Sequence, residues 1–192
     1  MKIYTSLRAI WIALLISALA GLTGLTDSFA VNVAGSLLSL AAYAIMVLHL
    51  KRLADESVRF GRAFAYQIIT VVLLALSIVC SLLMQRQIAV DTLSIFALLL
   101  IMTGGIFNLL SEFNLFWALD ERIIPQGYAF PARRIRWCFY APLLCSVVAA
   151  TFQMMEQYML SIAAQYVGYI IMLALFWLYL RAVKAREDDP LT

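Results

Sequence analysis

The sequence predicts an all-α, polytopic membrane protein whose six transmembrane helices form three parallel helical hairpins, with both termini in the cytoplasm. Three observations predict this fold class: a high apolar content, six long apolar segments and a one-sided distribution of basic residues. The chain has 192 residues, 65% hydrophobic and 13% charged, and its mean hydropathy is +0.93. Soluble domains are about 45–50% apolar and about 25% charged, so this composition excludes a water-soluble fold.

The apolar residues are grouped into segments of membrane-spanning length. A helix needs roughly 20 predominantly apolar residues to cross the hydrocarbon core of a bilayer. Segments close to this length lie at about 9–25, 29–50, 63–84, 92–118, 137–153 and 158–181. Little chain is left between them, so we expect one integral membrane domain over residues 1–192 and no soluble or nucleic-acid-binding domain.

The basic residues predict the orientation of the chain in the membrane. If the amino terminus is cytoplasmic, all but one of the 14 basic residues lie on the inner side, and only Arg86 lies outside. The inner set is Lys2, Arg8, Lys51, Arg52, Arg59, Arg62, Arg122, Arg133, Arg134, Arg136, Arg181, Lys184 and Arg186. The positive-inside rule then places both termini in the cytoplasm, and we expect a cell-membrane protein, which in a bacterium would lie in the inner membrane. Basic clusters at this level orient the chain and meet lipid headgroups, so they predict no nucleic-acid partner.

The first helix carries small residues at every fourth position: Ala9, Ala13, Ser17 and Gly21. Small residues at that spacing form a groove in which another helix packs closely. The groove serves either packing inside the bundle or contact with a separate membrane subunit or second copy of the chain.

A second interpretation of this segment is a secretory signal. Lys2 and Arg8 precede the apolar stretch, and 18–20 reads Ala-Leu-Ala, a small-residue pattern typical of a cleavage site. Cleavage would leave five helices, whereas the internal repeat requires the first helix.

The repeat is visible at three inner helix ends. These read H-L-K-R-L-A-D-E at 49–56, N-L-F-W-A-L-D-E at 114–121 and A-L-F-W-L-Y-L-R at 174–181. A period of about 65 residues predicts three consecutive helical hairpins of the same orientation. Their bounds are about 1–60, 61–125 and 126–192.

An acidic residue precedes each even-numbered helix at the predicted outer turns: Asp27, Asp91 and Glu156. Asp27 with Ser28, and Asp91 with Thr92, are typical N-cap pairs whose side-chain oxygens accept from free backbone N–H groups. The alternative is an acidic ring that attracts cations to an outer mouth.

Polar side chains also occur inside the predicted spans. They include Asn32 and Tyr43 in the second helix, Asn108 and Glu112 in the fourth, and Gln165 and Tyr169 in the sixth. A polar side chain in hydrocarbon needs a partner, so we expect these residues to face into the bundle. They either join helices by hydrogen bonds of about 0.6–2 kcal/mol each, or line a small ligand pocket between helices 2, 4 and 6.

Glu112 is the most costly of these groups. A charge at mid-bilayer costs about 2.5–3.5 kcal/mol, and Glu112 lies about 10–12 Å from the cytoplasmic end of its helix at 1.5 Å per residue. Its equivalents in the repeat are Val47 and Met172, so the fold does not require a carboxylate here. Glu112 therefore either pairs with an arginine at 133–136 or contacts a proton or ligand.

Sequence motifs of catalysis are missing. No H-E-x-x-H, G-x-S-x-G, Walker or G-x-G-x-x-G pattern occurs, and the three cysteines form no C-x-x-C pair. We predict no catalytic residue, no metal site and no cofactor, and we consider an enzyme the least supported function.

The leading hypothesis is a membrane-embedded binding or interaction subunit. Its predicted partners are the lipid bilayer, a membrane subunit or second copy, and a small ligand. The alternative is a transporter component for a small solute or ion, with Asn108, Glu112, Gln165 and Tyr169 along the route.

In length, six spans, cytoplasmic termini and small-residue first helix, the chain resembles the substrate-binding subunits of energy-coupling-factor vitamin transporters. This architectural resemblance implies a solute-binding subunit that works with other membrane proteins. The chain departs from that family at its outer turns, 26–28, 86–91 and 154–157, which are shorter than the family's usual ligand-covering loops.

Overall fold

A computed structural model describes residues 3–26, 28–123 and 134–187. All regular secondary structure in these ranges is helical. The α-helices are α1 (Ile3–Gly21), α2 (Phe29–Leu53), α3 (Val58–Gln85), α4 (Val90–Ile123), α5 (Trp137–Met154) and α6 (Tyr158–Glu187). Two short 3-10 helices, Leu22–Leu25 and Ala54–Glu56, precede α2 and α3.

Six helices in the described ranges are long and apolar enough to cross a membrane, as predicted. Many large apolar side chains are exposed on them, including Leu48, Ile95, Ile101, Ile106 and Ile170. Water would penalise such a surface, whereas lipid tails are as apolar as these side chains. The helices are those of an integral, multi-pass membrane protein.

The helices extend beyond the apolar segments that predicted them. The first begins at Ile3 instead of residue 9, the fourth continues to Ile123, and the sixth continues to Glu187. Apolar content reports which residues lie in hydrocarbon, but backbone hydrogen bonds continue a helix into the headgroup region. The apolar segments therefore predict helices that are too short, because they leave out the polar turns at the helix ends.

The helix ends confirm tight turns but not the predicted caps. Ser28 precedes α2 without a side-chain capping bond, and Asp91 lies inside the first turn of α4. Glu156 instead adopts a left-handed backbone with φ of 60° in the α5–α6 turn. Asp27 lies outside the described residues. A side-chain cap does form at Ser57, whose Oγ accepts from the Phe60 backbone N–H at 3.2 Å.

The chain divides into two compact units. Unit 1 consists of Met1–Trp11 and Leu115–Thr192, and unit 2 consists of Ile12–Asn114. The division falls within α1 and within α4. Each unit is described by itself below.

In unit 2, α3 packs against both α2 and α4. Cys80 of α3 forms a buried cluster with Ala97 and Leu100 of α4. The 3-10 helix before α2 approaches it closely at Gly35, where an added Cβ would overlap the Thr23 side chain. Gly35 thus allows a backbone approach that a larger residue would prevent.

In unit 1, α6 packs against α5 and against the first turns of α1. The Trp11 indole N–H donates to the Leu173 carbonyl at 2.8 Å, and the Trp11 and Trp177 ring centroids are 5.1 Å apart. The Tyr4 backbone N–H donates to Glu187 at 3.0 Å. These contacts join segments that are more than 160 residues apart in sequence.

Candidate functional site

Glu112 and Asn108 form a hydrogen-bonded pair on one face of α4 in unit 2. The Asn108 Nδ2 group donates to Glu112 Oε1 at 2.8 Å, and Glu112 is only 7% exposed. The four-residue spacing places both side chains on the same face of the helix. Among the described residues of unit 2, no Lys or Arg pairs with Glu112, so an amide is the partner of this carboxylate.

Tyr43 of α2 connects this pair to α1. Its hydroxyl lies near the Ser17 side chain and near Glu112. Three helices of unit 2 therefore contribute polar groups to one region. Tyr43, Asn108 and Glu112 were all singled out from the sequence, and Ser17 was singled out for its small size.

Gln67 of α3 is a buried polar residue that the sequence analysis missed. It is 0% exposed, and among the described residues neither its Nε2 nor its Oε1 has a hydrogen-bond partner. Nearby hydroxyls on α3 behave differently, since Thr70 donates to the Tyr66 carbonyl and Ser77 to the Leu74 carbonyl. Gln67 has no such local bond among those that the structure describes.

The contacts between α3 and α4 show where Gln67 lies. Ser111 Oγ donates to the Ala63 carbonyl at 3.0 Å, and the Tyr66 and Phe107 ring centroids are 6.0 Å apart. Gln67 is four residues beyond Ala63 and therefore on the same face of α3. This antiparallel register places Gln67 at the level of Asn108 on α4.

We call Ser17, Tyr43, Gln67, Asn108 and Glu112 the polar cluster. Its hydrogen-bonding capacity is not fully used, because Asn108 Oδ1 is also buried without a partner among the described residues. A buried polar atom without a partner costs about 1–3 kcal/mol. Ordered water or a bound polar molecule would supply partners for such atoms.

Three predicted site residues, Asn32, Gln165 and Tyr169, are not assigned to the polar cluster. Asn32, at the start of α2, donates to the Thr26 carbonyl at 3.0 Å and lies three turns, or about 16 Å, from Tyr43 along the helix. Gln165 and Tyr169 belong to unit 1, where Gln165 is exposed and Tyr169 is half-buried with its ring 6.5 Å from that of Tyr166. A pocket shared by helices 2, 4 and 6 stays a prediction.

The small-residue face of α1 is partly used within the chain. Ala13 is completely buried, Ser17 meets Tyr43 and Gly21 is exposed, all in unit 2. Ala9 belongs to unit 1 and is half-buried. Contact between this face and a separate subunit stays a prediction.

Of the arginines expected near Glu112, the structure describes Arg134 and Arg136, both in unit 1. In unit 1, Arg136 binds Asp120, with Nε and Nη2 at 2.6 Å and 2.5 Å from Oδ2, and its guanidinium lies 5.0 Å from the Trp117 ring centroid. Arg134 is exposed, and Arg133 lies outside the described residues. Arg136 thus pairs with Asp120, which was not predicted from the sequence, and a pair between Glu112 and Arg133 stays a prediction.

No group of three or more His, Cys, Asp or Glu residues that could hold a metal occurs in the described ranges. Comparisons of the chain with protein-family models, curated proteins and solved structures give no significant match.

Proposed function

We propose that the protein is a membrane-embedded binding protein whose polar cluster in unit 2 holds a small polar solute. The observation that carries this proposal is Glu112, a carboxylate buried within a membrane-spanning helix and hydrogen-bonded to an amide. A charged group in hydrocarbon is costly and usually marks a functional position.

The surroundings of Glu112 favour a ligand contact over a structural role. A carboxylate retained for helix association would be expected to have a basic partner, as Asp120 has in Arg136. Glu112 instead lies beside Asn108, whose Oδ1 has no partner among the described residues, and at the level of Gln67, which has none there either. Asn108 and Gln67 could therefore bind a solute whose positive charge neutralises the Glu112 carboxylate.

A substrate-binding subunit of a larger transporter would use the cluster in the same way. It would differ by having a membrane partner that moves the bound solute. Of the small-residue face of α1, Gly21 is the exposed position, and such a partner, or a second copy, would pack there.

The proposal is tested by native mass spectrometry of the protein released from a mild detergent. We expect the wild-type protein to carry a bound small molecule and Glu112→Gln, which keeps the side-chain shape, to lose it with little change in melting temperature. The matched control is Asp55→Asn at an exposed site of unit 2, which should retain the bound mass. A Glu112→Gln protein that melts at a lower temperature but keeps its ligand would show that the carboxylate is structural.

A further inference from the structure

We infer that the bound solute carries a protonated amine beside an acceptor oxygen, and that Gln67 selects it over a simple cation. This inference rests on the proposed function, because it assigns a chemical class to the ligand of the same cluster. It is carried by the set of unused donors and acceptors on Gln67, Asn108 and Glu112.

The charge of the ligand follows from Glu112 and Asn108. The Asn108 NH2 group already donates to Glu112, so its unpaired Oδ1 can only accept a hydrogen bond. A carboxylate and an amide oxygen on adjacent turns are both acceptors, and one of them carries negative charge. A protonated amine supplies several N–H donors and the compensating charge, which a buried carboxylate requires.

The acceptor oxygen of the ligand follows from Gln67. This side chain is completely buried and has both an unpaired donor, Nε2, and an unpaired acceptor, Oε1. A metal ion or a simple alkylammonium would leave the Nε2 donor without a partner, at a cost of about 1–3 kcal/mol. A hydroxyl or carbonyl oxygen on the ligand would accept from it.

The size of the ligand follows from the helix register. Gln67 and Asn108 lie at the same level on neighbouring antiparallel helices, as the Ser111–Ala63 and Tyr66–Phe107 contacts show. Packed helix axes are about 8–10 Å apart, and the two side chains fill part of that distance. A spacer of two or three carbon atoms between amine and oxygen suits this separation.

The test compares four probes on the full-length protein in detergent, with binding followed by calorimetry and thermal stabilisation. Ethanolamine has both the amine and the hydroxyl, propylamine has the same length without the hydroxyl, and tetramethylammonium has the charge without N–H groups. Sodium chloride tests the bare cation. We expect ethanolamine to bind about three- to tenfold more tightly than propylamine, the effect of one buried hydrogen bond, and we expect no binding of the other two.

Gln67→Met then tests the assigned role. We expect ethanolamine affinity to fall to that of propylamine, while the melting temperature of the ligand-free protein stays the same or rises because an unpaired buried amide has been removed. The matched control is Gln85→Met, an exposed position on the same helix, which should leave the preference intact. Glu112→Gln should abolish binding of both amines.

Several outcomes would overturn the inference. Equal affinity for ethanolamine and propylamine, or a preference that survives in Gln67→Met, would remove Gln67 from recognition. Tight binding of sodium or tetramethylammonium would assign a different class of cation. If no probe binds but native mass spectrometry shows another retained molecule, the amine class is wrong and the proposed function stands; if no molecule is retained either, both are wrong.

Discussion

The buried carboxylate of Asp120 pairs with the guanidinium of Arg136 in unit 1. Its side chain is 0% exposed, and Arg136 contacts Oδ2 while stacking on Trp117. The second oxygen, Oδ1, has no partner among the described residues. The burial of Asp120 makes it depend on this one arginine, because an unpaired buried carboxylate has no solvent to stabilise it.

Arg136→Gln should therefore be destabilising. Removing one partner of a fully buried ion pair typically costs about 3–5 kcal/mol. The Arg136 side chain is 39% exposed, so we expect a loss at or below the lower end of this range when the protein is unfolded by denaturant in detergent. The control Arg134→Gln, at an exposed position beside it, should change stability little. The double variant Asp120→Asn/Arg136→Gln should recover part of the loss. If the single and double variants are equally unstable, the ion pair is not the cause.

The polar cluster shows what could be predicted at the residue scale. Tyr43, Asn108 and Glu112 were identified because polar groups in apolar segments are unusual, and the structure brings them together in unit 2. Gln67 lies about one helical turn before Thr70, on the face of α3 that also carries Ser77. The sequence could therefore have predicted that Gln67 shares a face with these hydroxyls. The sequence could not have predicted that the Gln67 side chain has no hydrogen-bond partner among the described residues, because this depends on the register between α3 and α4.

At the scale of helices, the number of spans was predictable and their packing was not. Long apolar segments show which parts of the chain lie in the lipid bilayer, but they do not show where two helix backbones approach each other. Gly168 of α6 is an example: a Cβ at this position would lie 2.8 Å from Cys145 Cβ and 2.9 Å from Pro142 Cα of α5. This close approach requires a residue without a side chain.

Gly168→Ala should consequently separate α5 from α6. Overpacking of a well-packed site typically costs about 1–3 kcal/mol, which should appear as a lower melting temperature in detergent. Gly105→Ala of α4 is the control, because an added Cβ there meets nothing within 4 Å. It should be neutral or slightly stabilising, given the better helix propensity of alanine. Equal melting temperatures for the two variants would contradict the tight α5–α6 contact.

At the scale of the whole molecule, composition was sufficient to predict an integral membrane protein. The internal repeat is weaker evidence for the arrangement of the helices, because similarity between segments of the sequence does not show which helices contact each other. The predicted hairpins meet at about residues 60 and 125, whereas the compact units divide inside α1 and α4. The parallel hairpins and the cytoplasmic termini therefore stay predictions.

The orientation can be tested with fused reporters. Green fluorescent protein placed after Thr192 should fluoresce, because the positive-inside rule keeps this end in the cytoplasm. Alkaline phosphatase at the same position should be inactive, and it should be active when inserted after Arg86 in the α3–α4 turn. The reverse pattern would invert the orientation and reassign every loop.

Unit 1 also constrains the order of events during synthesis. Unit 2 is one uninterrupted stretch, so all of its residues have been synthesised once Asn114 has been added. The first turns of α1, by contrast, bond to Leu173 and Glu187 of the last helix. Because the chain is made from its amino terminus, Trp11 is synthesised well before Leu173 and Trp177, its final neighbours. Its indole must exchange a provisional partner, lipid or insertion machinery, for the Leu173 carbonyl at the end of translation.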